Sequence, residues 1–125
     1  MPLIVGREIR FSASHQLLNV PHGHKCAQLH GHSYRVAVEL RGPIVEPLGW
    51  VYDFGALDGA MRQLVHSVLD HKHLNNIAGL ENPTSEVLAG WVLARMRLAI
   101  ITKDVEIHSV SVHEGDGGGW CRLEP

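Results

Sequence analysis

His30-Gly31-His32 is the sharpest chemical signal in this 125-residue chain. Residues two apart on a strand project to one face, about 7 Å apart along the backbone, so two imidazoles there converge on a single ion. Zinc takes imidazole nitrogen at about 2.0–2.1 Å and prefers about four ligands, which calls for a third donor. His15, at the end of an earlier strand pattern, supplies it if the two strands pair. Three histidines with an open fourth position make a catalytic metal geometry. The plainer alternative is a His-x-His pair at a polar strand end that binds nothing, and His22-Gly23-His24 repeats the spacing in a loop with no strand to align it. The total of ten histidines points toward metal or proton chemistry.

Cys26 precedes His30 by four residues and lies beside His24 and Lys25. Nearby positive charge makes a thiolate available as nucleophile or general base. A fourth zinc ligand and a plain buried thiol are the alternatives, and spacing by itself favours the ligand over the base. Asp70-His71 is an acid/base pair by residue type, since a carboxylate orients an adjacent imidazole. Neighbours on a helix do not face each other, however, and His71 with Lys72 also reads as a helix end complementing the dipole. Glu114 closes a strand pattern before a glycine-rich segment, where it either accepts a bidentate pair of N–H groups or is solvated. Cys121 reads as core. The glycines from Gly115 to Gly119 do not link a strand to a helix, so no phosphate loop is present, and His-Glu-x-x-His is absent.

The elements that must position these groups follow from periodicity. Alternation over Ile9 to Ala13 and Tyr34 to Leu40 predicts two half-buried strands, with Asn19 to Gly31 as the loop between them. A short strand is expected at Trp50 to Tyr52. Phe54, Leu57, Met61, Leu64, Val65 and Val68 give a helix over 54–69 with Asp53 as N-cap, and Asn82-Pro83-Thr84-Ser85-Glu86 opens a second over 84–99. Val105 to Val112 alternates with a slip at Ser109, the pattern of a bulged strand, and a last strand runs through Trp120 to Leu123. The order predicts one α+β domain over residues 1–125, an antiparallel four-stranded sheet with two helices on one face. Eleven basic against thirteen acidic residues, with no basic block, argue against nucleic-acid or membrane partners and for a small ligand. The apolar start at Met1 to Gly6 is too short for a signal peptide, two cysteines are too few for a disulfide scaffold, and a cytoplasmic location is expected.

Taken together, Phe11-Ser12-Ala13-Ser14-His15, Cys26-Ala27-Gln28-Leu29-His30-Gly31-His32, Asp53-Phe54, Leu69-Asp70-His71, Leu80 to Glu86 and Val112-His113-Glu114 resemble the 6-pyruvoyl-tetrahydropterin synthase family over nearly the whole chain. The three-residue gap between Cys26 and His30 is most similar to the bacterial 6-carboxytetrahydropterin synthases of queuosine biosynthesis. The resemblance implies the tunnelling fold, a ββααββ subunit that assembles as trimers into a barrel, two trimers forming a homohexamer. It implies a zinc-dependent lyase in which His15, His30 and His32 bind Zn2+, Cys26 is the catalytic base, Asp70 and His71 are its partners, and Glu114 anchors the pterin. That reverses the spacing-based preference for Cys26 as ligand. The implied reaction converts 7,8-dihydroneopterin triphosphate and water to 6-carboxy-5,6,7,8-tetrahydropterin, acetaldehyde and triphosphate. A 6-pyruvoyl product and a non-catalytic zinc- or pterin-binding module are the alternatives.

Overall fold

Two long strands form the spine of the computed structural model, which describes residues 2–125. β1 (Leu3–His15) and β2 (His30–Gly42) pair antiparallel over their whole lengths, from Leu3 opposite Gly42 to His15 opposite His30. Ile9, Phe11 and Ala13 share a buried face with Tyr34, Val36, Val38 and Leu40, and the Phe11 and Tyr34 rings stack at 5.0 Å. A slip of one residue would turn this whole apolar set to the opposite face, so burial holds the register. Both strands are longer than their alternating segments. The first half of β1 is largely exposed on both faces and owes its extended form to the ladder with β2 rather than to a pattern of its own.

The sheet has five strands in the order β3-β1-β2-β4-β5 and is mixed, which corrects the expectation of a four-stranded antiparallel sheet. The addition is β3 (Lys72–His73), which runs parallel to β1 beside Ala13 and Ser14. Two residues are too few to show a period. β4 (Glu106–Glu114) lies antiparallel to β2, and β5 (Trp120–Leu123) antiparallel to β4. The slip in β4 is a bulge: Glu39 pairs with Ser109 and Leu40 with Ile107, leaving His108 over, so Ile107 and Val110 both face the core. The strand expected at Trp50 to Tyr52 is only an isolated bridge between Val45 and Trp50.

α1 (Phe54–Leu64) starts at Asp53, whose Oδ1 accepts the Gly55 N–H at 2.9 Å. It runs into a π-helical turn, Val65–Leu69, closed by the Asp70 N–H donating to Val65 O at 2.8 Å. α2 (Ser85–Ala99) starts at Thr84, whose Oγ1 accepts the Val87 N–H at 3.1 Å. Leu57, Met61 and Leu69 from the first helical segment, with Leu88, Val92 and Met96 from α2, join the apolar sheet face in one core. Cys121 is half-buried at its margin, where burial pushes its thiol pKa up. The other sheet face is polar, with Arg35 bound to Glu8 and to the His113 ring. No helix among the described residues is long and apolar enough to cross a membrane.

Leu57 is fully buried and Leu98 is 76% exposed. Leu57→Ala should therefore cost about 2–5 kcal/mol, and Leu98→Ala less than about 0.5 kcal/mol. Urea unfolding at one fixed protein concentration checks both.

Candidate metal centre and active site

The ladder that fixes the core also assembles the histidines. His15 and His30 are cross-strand partners at the end of the β1–β2 ladder, and His32 opposes Ala13 two positions further in. All three side chains lie on the sheet face that carries Phe11 and Tyr34. One ring nitrogen from each falls within 4.8 Å of the other two, the one such group of His, Cys or carboxylate ligands among the described residues. Cys26 is not a member of it.

The ring nitrogens turned away from the centre are anchored. His15 Nδ1 lies 2.8 Å from Pro83 O and His30 Nδ1 lies 2.7 Å from Gln28 O. A carbonyl oxygen only accepts, so both Nδ1 atoms carry the proton and both Nε2 atoms present lone pairs. These lone pairs face each other at 2.9 Å, an arrangement suited to a metal cation between them. The donor set therefore fits a metal ion: three imidazoles converge, with the backbone carbonyls of Pro83 and Gln28 fixing the tautomers of two of them. Burial pushes the pKa of His15, 1% exposed, below its ordinary value, which favours the neutral ligand form. The Tyr34 hydroxyl sits 3.2 Å from His15 Nδ1, and burial followed by the charge of Glu114 drives its pKa far up, so it stays a neutral phenol.

Glu114 is brought to the same place. It pairs with Tyr34 across β2 and β4, and its Oε2 lies 3.3 Å from His32 Nε2 and 3.7 Å from His15 Nε2. The sequence has no carboxylate near the histidine loop, and only the register of β4 supplies one.

Asp70 and His71 do face each other, because the helix has ended. Asp70 is extended (ψ 131°) and His71 takes a left-handed φ of 59°, an uncommon conformation for a residue with a side chain. Asp70 Oδ2 lies 2.9 Å from His71 Nδ1, while its Oδ1 accepts the Ser12 N–H at 3.0 Å. That backbone hydrogen bond, then the one from His71, hold the Asp70 carboxyl below the usual carboxylate range. The His71 ring is 81% exposed. A cleft of about 520 Å³ runs from His71 to His73 across Ser12 and Ser14 to His32 and Ser33, but neither Cys26 nor Glu114 lines it. Cys26 sits in a short 3-10 turn, Lys25–Ala27, half-buried, with its N–H donating to His24 Nδ1 at 3.1 Å. Within one chain the structure thus groups His15, His30, His32 and Glu114, sets Asp70–His71 across the cleft, and leaves Cys26 outside both. Sequence reading missed Pro83 O, Gln28 O and Tyr34. The two carbonyls carry no side-chain signature, whereas Tyr34 stands two residues after His32 on the same strand face and was legible as its neighbour.

The family model described as 6-pyruvoyl tetrahydropterin synthase matches residues 4–125. The chain belongs to this family. Among the family's relatives it is 40% identical over 115 residues to a 6-carboxy-5,6,7,8-tetrahydropterin synthase of Synechocystis, covering 89% of this chain and 85% of the relative. It is 35% identical over 96 residues to a dihydroneopterin monophosphate aldolase of Pyrococcus furiosus, covering 74% and 75%. The fold matches that of the Caenorhabditis elegans 6-pyruvoyl tetrahydropterin synthase with a TM-score of 0.87, at 24% identity, over 100% of this chain and 96% of that one. Membership makes the protein one of a family of pterin-processing enzymes, and its histidine cluster a candidate for that chemistry's metal.

Two outcomes are expected. If the cluster holds a divalent ion, His32→Ala should retain much less of it than wild type after metal loading and dialysis, read by atomic absorption. For the metal-free protein, an unfolded histidine titrates near 6.5 and folded His15 holds its proton less tightly, so protonation favours unfolding. His15 leaves stability untouched above that pH and lowers it as the pH falls toward the folded pKa. Melts of metal-free protein from about pH 7.5 to 5.5 should show a falling Tm, with a shallower fall in His15→Gln.

Proposed function

We propose that the chain is a zinc-dependent 6-carboxy-5,6,7,8-tetrahydropterin synthase. It would convert 7,8-dihydroneopterin triphosphate and water to 6-carboxy-5,6,7,8-tetrahydropterin, acetaldehyde and triphosphate, a step of queuosine biosynthesis. The observation that carries this reading is the buried His15, His30 and His32 cluster with its outer nitrogens anchored and Glu114 beside it. Likeness to the Synechocystis enzyme of that name supports the choice of product.

His15, His30 and His32 hold the metal, which when bound acts as a Lewis acid on side-chain oxygens of the substrate. Glu114 accepts two N–H groups from the aminopyrimidine edge of the pterin, a bidentate match that rejects rings lacking those donors. Because Glu114 adjoins His32, a ring held there has its side chain beside the metal ligands. Cys26, as thiolate, takes a proton from that side chain. His71 moves the second proton: Asp70, itself fixed by the Ser12 N–H, holds Nδ1 and leaves Nε2 free for exchange with the substrate.

Assembly completes the site in this reading. β3 covers β1 only at Ala13 and Ser14, and β5 is the other end of the sheet order, so two strand edges stand open among the described residues. Such edges join copies into a barrel. Cys26 of one copy then meets His71 of another, and two trimers give a homohexamer.

Turnover of dihydroneopterin triphosphate by zinc-loaded protein tests the proposal, with acetaldehyde, pterin product and bound zinc all quantified. Wild type should release acetaldehyde, and Cys26→Ala should keep its zinc and lose about 10²–10⁴-fold in rate. A pterin product without acetaldehyde would mark the 6-pyruvoyl synthase instead. Loss of zinc from Cys26→Ala, together with an inactive wild type, would make the protein a closed-site binding module.

A further inference from the structure

β1 leaves its ladder at His15, because its partner β2 begins only at His30. The chain that follows must nevertheless be held, since it leads into the Cys26 loop, most of which is exposed. Two side-chain amides take the place of a neighbouring strand. Asn75 Oδ1 accepts the Gln16 N–H at 2.9 Å, and Asn75 Nδ2 donates to Gln16 O at 2.8 Å. Asn82 Oδ1 accepts the N–H groups of Leu18 at 2.8 Å and Asn19 at 3.3 Å. The same stretch of chain then carries the cysteine turn: the Leu17 N–H donates to Cys26 O at 2.8 Å, and Gln16 Nε2 reaches Ala27 O at 3.5 Å.

Three consecutive residues therefore serve three elements. Asn82 holds the segment on which the Cys26 carbonyl docks, Pro83 O holds the His15 ring, and Thr84 caps α2. We infer that Asn82 is a positioning residue for Cys26, setting the thiol in register with the metal-binding imidazole of His15 through its bonds to the Leu18 and Asn19 amides. This rests on the proposed role of Cys26 as proton acceptor. The requirement is for one oxygen accepting two N–H groups. An aspartate in place of Asn82 offers the same acceptor, and an alanine offers none.

The test compares zinc-loaded wild type, Asn82→Ala and Asn82→Asp for kcat, KM, bound zinc and amide hydrogen exchange of residues 17–19. In Asn82→Ala, exchange at Leu17 to Asn19 should quicken about tenfold or more while α2 amides stay protected, and kcat should fall about tenfold or more. KM should stay within about threefold and zinc should remain bound. Asn82→Asp should restore both kcat and protection. Unchanged exchange or kcat in Asn82→Ala would overturn the inference, as would zinc loss in parallel with activity or failure of the aspartate to restore. If wild type turns over no dihydroneopterin triphosphate, the catalytic reading falls separately. The inference is then decided by the exchange data and by iodoacetamide labelling of Cys26, which should quicken in Asn82→Ala while Cys121 labelling does not change; no change at Cys26 would overturn it.

Discussion

The register of β1 against β2 is the constraint on which the rest depends. Thirteen residues of each strand are locked by an apolar face that tolerates no slip, and the lock ends with His15 opposite His30. Imidazoles convergent enough to share an ion are a consequence of that pairing and not of any local turn. Glu114 arrives by the same route, since its place opposite Tyr34 is set by the β2–β4 ladder above the bulge at His108. The stability of the core and the geometry of the histidine cluster are thus one and the same requirement. A core substitution that shifts the ladder disturbs the imidazoles without touching them.

The buried histidine carries an electrostatic cost that the surroundings are arranged to meet. Desolvation disfavours the imidazolium of His15, two neighbouring imidazoles oppose it further, and Pro83 O holds the neutral tautomer with Nε2 inward. Desolvation and the neighbouring imidazoles work toward a lone pair at the centre of the cluster, whereas the Pro83 hydrogen bond favours the charged ring and contributes by keeping the retained proton on Nδ1. Tyr34 beneath it stays protonated for the same reason of burial.

Much of this was legible in the residues themselves. The second helix and the N-cap Asp53 follow from periodicity and from capping chemistry, the cap of α2 falls on Thr84, which the sequence reading placed inside the helix, and the slip in β4 showed as a break in alternation. The third histidine of the cluster, His15, was inferable once the strands were assumed to pair. Other features had no local signal. β3 is too short to have a period, and the first half of β1 is a strand only because β2 lies beside it. Glu114 meets the histidines through a ladder whose register no neighbouring residue announces. The pairing of Asp70 with His71 could be named but not built, because it depends on where a helix stops and on a left-handed φ that the sequence does not mark with glycine.

The π-helical turn at Val65–Leu69 sets that stopping point. In a π turn the chain spends one residue more than an α-helix would to cover the same rise. Counted along the sequence it is an insertion of one residue, placed immediately before Asp70. A chain shorter by that residue would continue as ordinary α-helix, and everything beyond it would come round by about 100°. The carboxylate now bonded to the Ser12 N–H would then point away from β1. The length of this segment is accordingly constrained as tightly as the identity of the acid that follows it, and alignments that close a one-residue gap there would misplace the acid without changing a single side chain.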